Sequence, residues 1–319
     1  MKSICGYFSL ELLAEEHYHK NAVMLNTARN CLEYILIAKQ YKKTYIPYFT
    51  CEAILEPLIK NNIDYEFYQI NELLEPVETF ELSAQHAFLY TNYFGVKNDA
   101  IIRLAKLYGK QLIVDNAQAF FTKQEKGIDT FYSPRKFFGV ADGGFLYTDK
   151  LLTDTFTKDV SFDRMSHLLK RIDCSAESAY SDFHKNEDSL ENEPIKTMSN
   201  LTDSILRGID YDAAQKIRLE NFQVLDSVLR RHNLLPMNFN CDDMVPMVYP
   251  FWGKNEVLRK RLITNKIYVA TYWPNVFDWC NENDLEYILT KSIIPLPIDQ
   301  RYSKDDMQQI IKIVVACDL

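Results

Sequence analysis

The sequence predicts an α/β protein, with a mainly parallel sheet covered by helices on both faces and a smaller α/β domain at its C-terminal end. Three observations carry this. Strand-like runs alternate with helical spacing from residue 44 to 148, the pattern of a parallel sheet whose crossovers are helices. Gln111-Leu112-Ile113-Val114 is a short apolar run, as expected of a parallel strand buried on both faces. Beyond an amphipathic helix at 210–231, with apolar Ala213, Ala214, Ile217, Phe222, Leu225 and Leu229, strand and helix patterns resume and run to residue 315.

Each element has its own signal. Residues 1–22 hold Gly6-Tyr7-Phe8 and the triplet His17-Tyr18-His19. Two histidines at i, i+2 share one side of a strand, but no carboxylate or third ligand accompanies them. A surface or interface segment is expected, and no metal. Leu32, Ile35, Leu36 and Ala38 give a helix within 23–41, starting at Asn26-Thr27-Ala28. Thr44–Ile46 reads as a strand, followed by Pro47-Tyr48-Phe49-Thr50-Cys51 and a helix through Ile59. Tyr65–Tyr68 and Ala87–Tyr90 are further strands, and a helix over 98–108 ends at Gly109. Phe145–Thr148 is another strand. Ser161–Ala176 has helical character, whereas the acidic run Ser181–Pro194 reads as a solvated loop. In the C-terminal part, strands are expected at Val245–Pro250, Ile267–Thr271 and Ile293–Leu296, and helices at Glu256–Asn265 and Ser303–Val315. The division is therefore 1–209, with 1–22 as an N-terminal segment, and 210–319.

Bulk properties exclude several function classes. The net charge of −8, without Lys/Arg blocks, argues against nucleic-acid and membrane partners. Seven cysteines without a CxxC pair fit free thiols in a reducing, cytoplasmic compartment rather than a disulfide frame or zinc site. No apolar run is long enough to span a bilayer, and the N-terminal stretch does not read as a signal peptide.

The chemistry concentrates in two adjacent stretches. Val114-Asp115-Asn116-Ala117-Gln118 places a carboxylate at the end of a strand. Downstream, Ser133-Pro134-Arg135-Lys136 holds a lysine in a Pro-flanked turn, and Asp142-Gly143-Gly144 leads into the next strand. Taken singly, an Asp after a strand is a common helix cap and a turn lysine is usually solvated. Together and in this order they suit pyridoxal 5'-phosphate. A lysine amine condenses with the cofactor aldehyde, and a carboxylate keeps the pyridine nitrogen protonated so that the ring can accept electrons.

This order resembles the DegT/StrS-type nucleotide-sugar aminotransferases of fold type I, whose pattern runs Glu-Asp-x-Ala-His/Gln, Pro-Thr-Lys and Glu-Gly-Gly. The resemblance implies a fold type I pyridoxal phosphate enzyme. Lys136 would form the Schiff base and act as general base and acid. Asp115 would pair with the pyridine nitrogen, and Gln118 would bond the ring hydroxyl. Ser133, beside Pro134, joins the expected cofactor contacts. The family's Ser-Gly-Thr phosphate site falls at Thr27-Ala28-Arg29, where the glycine is missing and Arg29 replaces threonine. Those residues are either a phosphate site at a helix N-terminus or simply a capped helix. The family's stacking aromatic falls at Cys51, which leaves Tyr48, Phe49 or Cys51 itself to face the ring. Asn92-Tyr93-Phe94-Gly95 resembles the family's aromatic-Tyr-Gly turn, and Lys196-Thr197-Met198-Ser199 the segment that reaches a neighbouring subunit. The implied activity is transamination of a nucleotide-linked keto-sugar by an amino-acid donor, in surface polysaccharide or related glycan biosynthesis, within a homodimer. The alternatives are a non-catalytic binding or regulatory protein on the same fold, or a sugar dehydratase. In the latter a histidine commonly replaces the lysine.

Overall fold

The computed structural model describes residues 6–236, 244–253, 255 and 257–318. The predicted helix start at Glu256, and Cys5 and Cys241, lie outside them. The main sheet has seven strands: β1 (Val23–Leu25), β2 (Lys43–Pro47), β3 (Asp64–Tyr68), β4 (His86–Thr91), β5 (Leu112–Asn116), β6 (Asp129–Tyr132) and β7 (Gly144–Tyr147). Their order is β1-β7-β6-β5-β4-β2-β3. Strands β2 to β6 are mutually parallel, and β7 is antiparallel to both β6 and β1. So β1 points the same way as β6. The C-terminal ends of β1, β2, β4, β5 and β6 therefore emerge on one edge of the sheet, where ligands bind in such folds.

The core follows from period-two side-chain alternation. In β4, Phe88 and Tyr90 enter one core with α3 (Asn98–Tyr108), while Ala87 and Leu89 enter the other with α1 (Ala28–Lys39) and α2 (Leu55–Lys60). Thr27 caps α1 by accepting from the Asn30 amide. Gly109 ends α3 with φ of 52°, its N–H donating to Ala105 O.

The predicted strands at 44–46, 65–68, 87–90, 111–114 and 145–148 are present within a residue or two. The alternation stops at β5, because residues 117–128 carry no α-helix and β6 turns directly into antiparallel β7. Strand β1, inside the stretch read as leading into a helix, is only three residues long, too short for a periodic signal.

The region after β7 holds α4 (Ser166–Asp173) and α5 (Ala176–Asp188), then α6 (Asn200–Arg207). The expected loop at 181–194 is thus helical to Asp188. Ser175 and Ser178 form a reciprocal capping box, Ala179 and Asn186 give α5 a buried face, and Lys170 on α4 pairs with Asp182 at 2.5 Å. The acidic run is largely the outer face of a helix hairpin. Next comes α7 (Tyr211–Leu229), capped by Asp210. Its buried stripe includes Arg218 and Asn221, whereas Ile217 is only half-buried. Then follow β8 (Val248–Trp252), α8 (Leu258–Thr264), α9 (Val276–Trp279), α10 (Leu285–Ser292), β9 (Ile293–Pro297) and α11 (Lys304–Asp318).

Strands β8 and β9 pair antiparallel over a core shared with α7, α8 and α11. The expected strand at 267–271 has no ladder. Val269 enters this core with Ile267 packed against it, while Tyr268 is exposed, so the alternation is satisfied without a partner strand. Leu235, Met244, Trp273, Val276, Leu289 and Ile293 pack into the core of the seven-stranded sheet, so the C-terminal part is firmly docked on it. No helix among the described residues is long and apolar enough to cross a membrane.

Candidate active site

Asp115 is the fourth residue of β5, whose five residues are all buried. Its Oδ1 accepts from the Ala117 amide at 2.8 Å. Burial pushes its carboxyl above the usual carboxylate range, and the nearby Lys136 ammonium opposes that shift. Lys136 ends a short 3-10 turn, Pro134–Lys136, that follows β6, the strand beside β5. Its side chain is exposed, and its amine has no hydrogen-bond or salt-bridge partner among the described residues. Adjacent parallel strands with ends on the same edge thus bring a buried carboxylate and an unengaged amine together.

Gln118 follows in the turn after β5 and is almost fully buried. Its Oε1 accepts from the Phe94 amide at 2.8 Å, which orients the amide group. Its Nε2 is buried with no hydrogen-bond partner among the described residues. A buried donor without a partner costs about 1–3 kcal/mol, so it marks a place where a ligand acceptor would be favoured. The β4 turn that supplies Phe94 depends on Gly95, at φ of +74°, where a Cβ would come within 2.9 Å of Gln118 O. Asn92 ties the same turn to β5: its amide donates to Asp115 O at 2.9 Å and its side chain to Asn116 Oδ1 at 3.0 Å.

The start of α1 reaches the same edge. Gly143 N donates to Asn26 O at 2.5 Å, and a Cβ on Gly144 would lie 2.6 Å from Thr27 O. The Gly143-Gly144 pair therefore permits β7 to pass against the helix N-terminus. Asp142 is fully buried and accepts from the Ser199 amide at 2.8 Å, the Ser199 hydroxyl at 2.7 Å and the Thr202 hydroxyl, fixing the start of α6.

Here the Thr27 and Arg29 side chains are engaged by neighbours, while the buried Arg135 Nε has no hydrogen-bond partner among the described residues. The Thr27 hydroxyl accepts from the Asn30 amide and donates to Asn30 Oδ1. Arg29 pairs with Glu56 at 2.6 Å and donates to Leu190 O at 3.3 Å. Arg135 pairs with Glu187, and burial, with Arg29 nearby, lowers its guanidinium to about 10. The backbone amides of Ala28 and Arg29 head the helix with no intrahelical acceptor, as in any first turn.

The aromatic candidates are each packed against other rings. Phe49 is fully buried, stacked on Tyr93 with ring centroids 5.5 Å apart, and edge-on to Trp273. Tyr48 stacks on Phe67 at the β3 edge, 4.5 Å away. Cys51 is half-buried beside Tyr272, whose hydroxyl is pushed up to about 12 by burial and by that thiol. Ser133 is buried and precedes the turn. Sequence reasoning missed Tyr272, which lies in a segment without periodic signal and meets Phe94 at 6.2 Å.

Of the N-terminal histidines, His17 Nε2 bonds Asp203 Oδ1 at 2.7 Å and the His19 Nε2–H donates to Phe120 O at 2.8 Å. His19 is buried among Phe120, Tyr132 and Phe145, not on the surface, because the N-terminal strap lies over this aromatic layer. No group of metal-ligating side chains occurs among the described residues. Lys196 pairs with Glu193 and lies 3.7 Å from Asp159, while the backbone of its segment bonds Asn26 and Met24 of the same chain.

No family model and no curated protein matches the sequence. Solved structures do match. A DegT DnrJ EryC1 StrS aminotransferase from Brucella abortus is 13% identical, with a TM-score of 0.60 over 92% of this chain and 85% of that one. The sugar aminotransferase CalS13 from Micromonospora echinospora is 13% identical, with a TM-score of 0.61 over 92% and 87%. NtdA from Bacillus subtilis, solved with bound cofactor PMP, is 14% identical, with a TM-score of 0.62 over 91% and 73%. The chain has the fold of these aminotransferases, in agreement with the sequence expectation of a fold type I architecture.

Proposed function

We propose that this protein is a pyridoxal 5'-phosphate-dependent aminotransferase acting on a keto-sugar, with an amino acid as donor. The observation that carries the reading is the convergence of three groups on one sheet edge: the unpartnered Lys136 amine, the buried Asp115 carboxylate and the unpaired Gln118 Nε2. This donor set fits the cofactor: an amine for the aldehyde, an anion for the pyridinium and an N–H for the ring oxygen. The fold shared with sugar aminotransferases supports the same reading.

Lys136 would hold the cofactor covalently and, once displaced by the amino donor, carry the proton between donor carbon and cofactor carbon. Asp115 would hold the proton on the ring nitrogen. Its burial leaves little solvent screening, so a cation set against it would stabilise the ionised form that burial alone disfavours. Gln118, fixed through its Oε1, would donate from Nε2 to the ring oxygen. The free amides of Ala28 and Arg29 would receive the phosphate at the positive end of α1. Ser133, buried just before the Lys136 turn, would join the cofactor contacts, and Cys51 with neighbouring Tyr272 would stand on the ring side. The cofactor, when bound, supplies the electron sink that makes the donor carbon acidic. We extend the reading to a nucleotide-linked sugar, glycan biosynthesis, a homodimer and a division near residue 210, from the resemblance described above.

The test is spectroscopic. Purified protein is mixed with pyridoxal 5'-phosphate, and its visible absorbance is followed on adding amino acids and then a nucleotide-linked keto-sugar. A band that bleaches with donor and recovers with keto-sugar supports the proposal. A band that never responds to any donor points instead to a binding protein on this fold.

A further inference from the structure

Arg218 is a large, fully buried side chain, with 1% of its surface exposed. Its pairing is unusual for a buried cation. Asp299 acts on it through its charge but is itself hydrogen-bonded by Arg301 at 2.7 and 2.9 Å. Arg218 instead donates from Nε to Gln300 Oε1 at 2.9 Å, and from one terminal nitrogen to Met247 O at 3.1 Å and Pro246 O at 3.5 Å. Its guanidinium lies 4.6 Å from the centre of the Phe137 ring. Burial lowers it to about 10. A buried charge whose hydrogen bonds all go to neutral acceptors is costly even with the Asp299 charge nearby, and an apolar residue of similar volume would fill the space at less cost.

Both branches from Arg218 run to the candidate site. In one, Gln300 Nε2 donates to Phe137 O at 2.9 Å, and Phe137 is the residue after Lys136. In the other, Met247 N donates to Phe94 O at 2.8 Å, and Phe94 N donates to Gln118 Oε1 at 2.8 Å. One guanidinium on α7 thus anchors the turn carrying Lys136 and the turn orienting Gln118. Its planar fork serves both directions at once, which a lysine ammonium cannot do in this geometry.

We propose that Arg218 is a positioning residue that fixes the Lys136 turn relative to Gln118, with Gln300 as its link to the lysine side. The inference rests on the reading of Lys136 and Gln118 as cofactor residues, but its test uses no cofactor. Arg218→Met, Arg218→Lys and Gln300→Leu are prepared in the full chain. Lys136 acetylation by a pulse of acetic anhydride is measured against exposed Lys150 by peptide mass. Exchange of the Phe94 amide is followed by NMR.

Arg218→Met and Arg218→Lys are expected to change the Lys136-to-Lys150 labelling ratio at least threefold and to speed Phe94 exchange at least tenfold. Gln300→Leu is expected to change the labelling ratio and leave Phe94 exchange as in the unaltered protein, because it cuts one branch only. A folded Gln300→Leu with an unaltered ratio overturns the proposal, as does a folded Arg218→Lys with both readouts unaltered. If Arg218→Met does not fold, the other two variants decide. If the branch-selective pattern is found in a protein that never takes up pyridoxal phosphate, the functional reading fails while the anchoring by Arg218 stands.

Discussion

The corner formed by Asp115, Gln118 and Lys136 and the start of α1 lie on the same sheet edge, yet they treat their polar groups in opposite ways. At the first, an amine has no partner, a buried amide nitrogen has none, and a carboxyl is held above its usual range by burial. At the second, Thr27 is engaged by Asn30 and Arg29 by Glu56. A folded chain normally satisfies its buried polar groups internally, so unpaired ones mark where a ligand supplies the partner. On the proposed function, the first region would contribute side chains to the ligand and the second backbone amides.

The largest expected effect lies at Lys136. Lys136→Ala should abolish covalent capture of pyridoxal 5'-phosphate while leaving the melting temperature unaltered, because the side chain is exposed and unpartnered. Borohydride reduction followed by peptide mapping checks this, and labelling at any other lysine would contradict it. Next, Asp115→Asn should slow single turnover by roughly a hundredfold, about 3 kcal/mol, because an amide cannot hold the pyridinium charge. Its carbonyl can still accept from Ala117, so stability should change by about 1 kcal/mol or less. A melting loss with unaltered turnover would reduce Asp115 to a local cap.

The aromatic layer beside the site gives a pH test. Burial holds the His19 imidazole down to about 3, against 6.5 unperturbed. As pH falls below 6.5 the unfolded chain takes up a proton that the folded chain refuses. The stability contributed by neutral His19 is therefore complete above pH 6.5 and is lost as pH falls toward about 3, at a limiting slope of about 1.4 kcal/mol per pH unit. Urea titrations between pH 7 and 4 should show this slope flattened in His19→Leu. An unaltered slope would place the imidazole in contact with water.

The smallest effects separate the two regions most cleanly. Gln118→Glu keeps the acceptor for Phe94 and removes the unpaired donor, so cofactor affinity should fall about tenfold. Arg29→Met should cost about 1 kcal/mol of stability through its ion pair with Glu56, and change cofactor affinity less than threefold. Equilibrium titration of both variants checks the contrast. A larger affinity loss in Arg29→Met than in Gln118→Glu would reverse the assignment and make the guanidinium a phosphate ligand.

Much of this was legible in the chain itself. The strands at 44–46, 87–90 and 111–114 and the helix at 98–108 reveal themselves because burial on a sheet or helix face imposes a local period. The order Asp115, Gln118, Lys136 and Gly143-Gly144 is legible because the first three lie at or just past the C-terminal ends of parallel strands and the glycines open an antiparallel one, which brings all of them to one edge. The acidic run at 181–188 misled because an exposed helix face and a solvated loop share a composition. The capping box and the Lys170–Asp182 pair distinguish them, and the latter appears only once α4 and α5 meet.

Sequence alone thus determined the class of sheet and pointed to the candidate groups Asp115, Gln118 and Lys136, since both readings come from near-neighbour patterns. The tertiary structure decided which polar groups are left without partners. It also packed Tyr48 on Phe67 and Phe49 on Tyr93, brought Tyr272 beside Cys51, and set Arg218 between the Lys136 and Gln118 turns. Those outcomes depend on contacts between segments far apart in the chain, and a long-range contact leaves no period in the residues that make it.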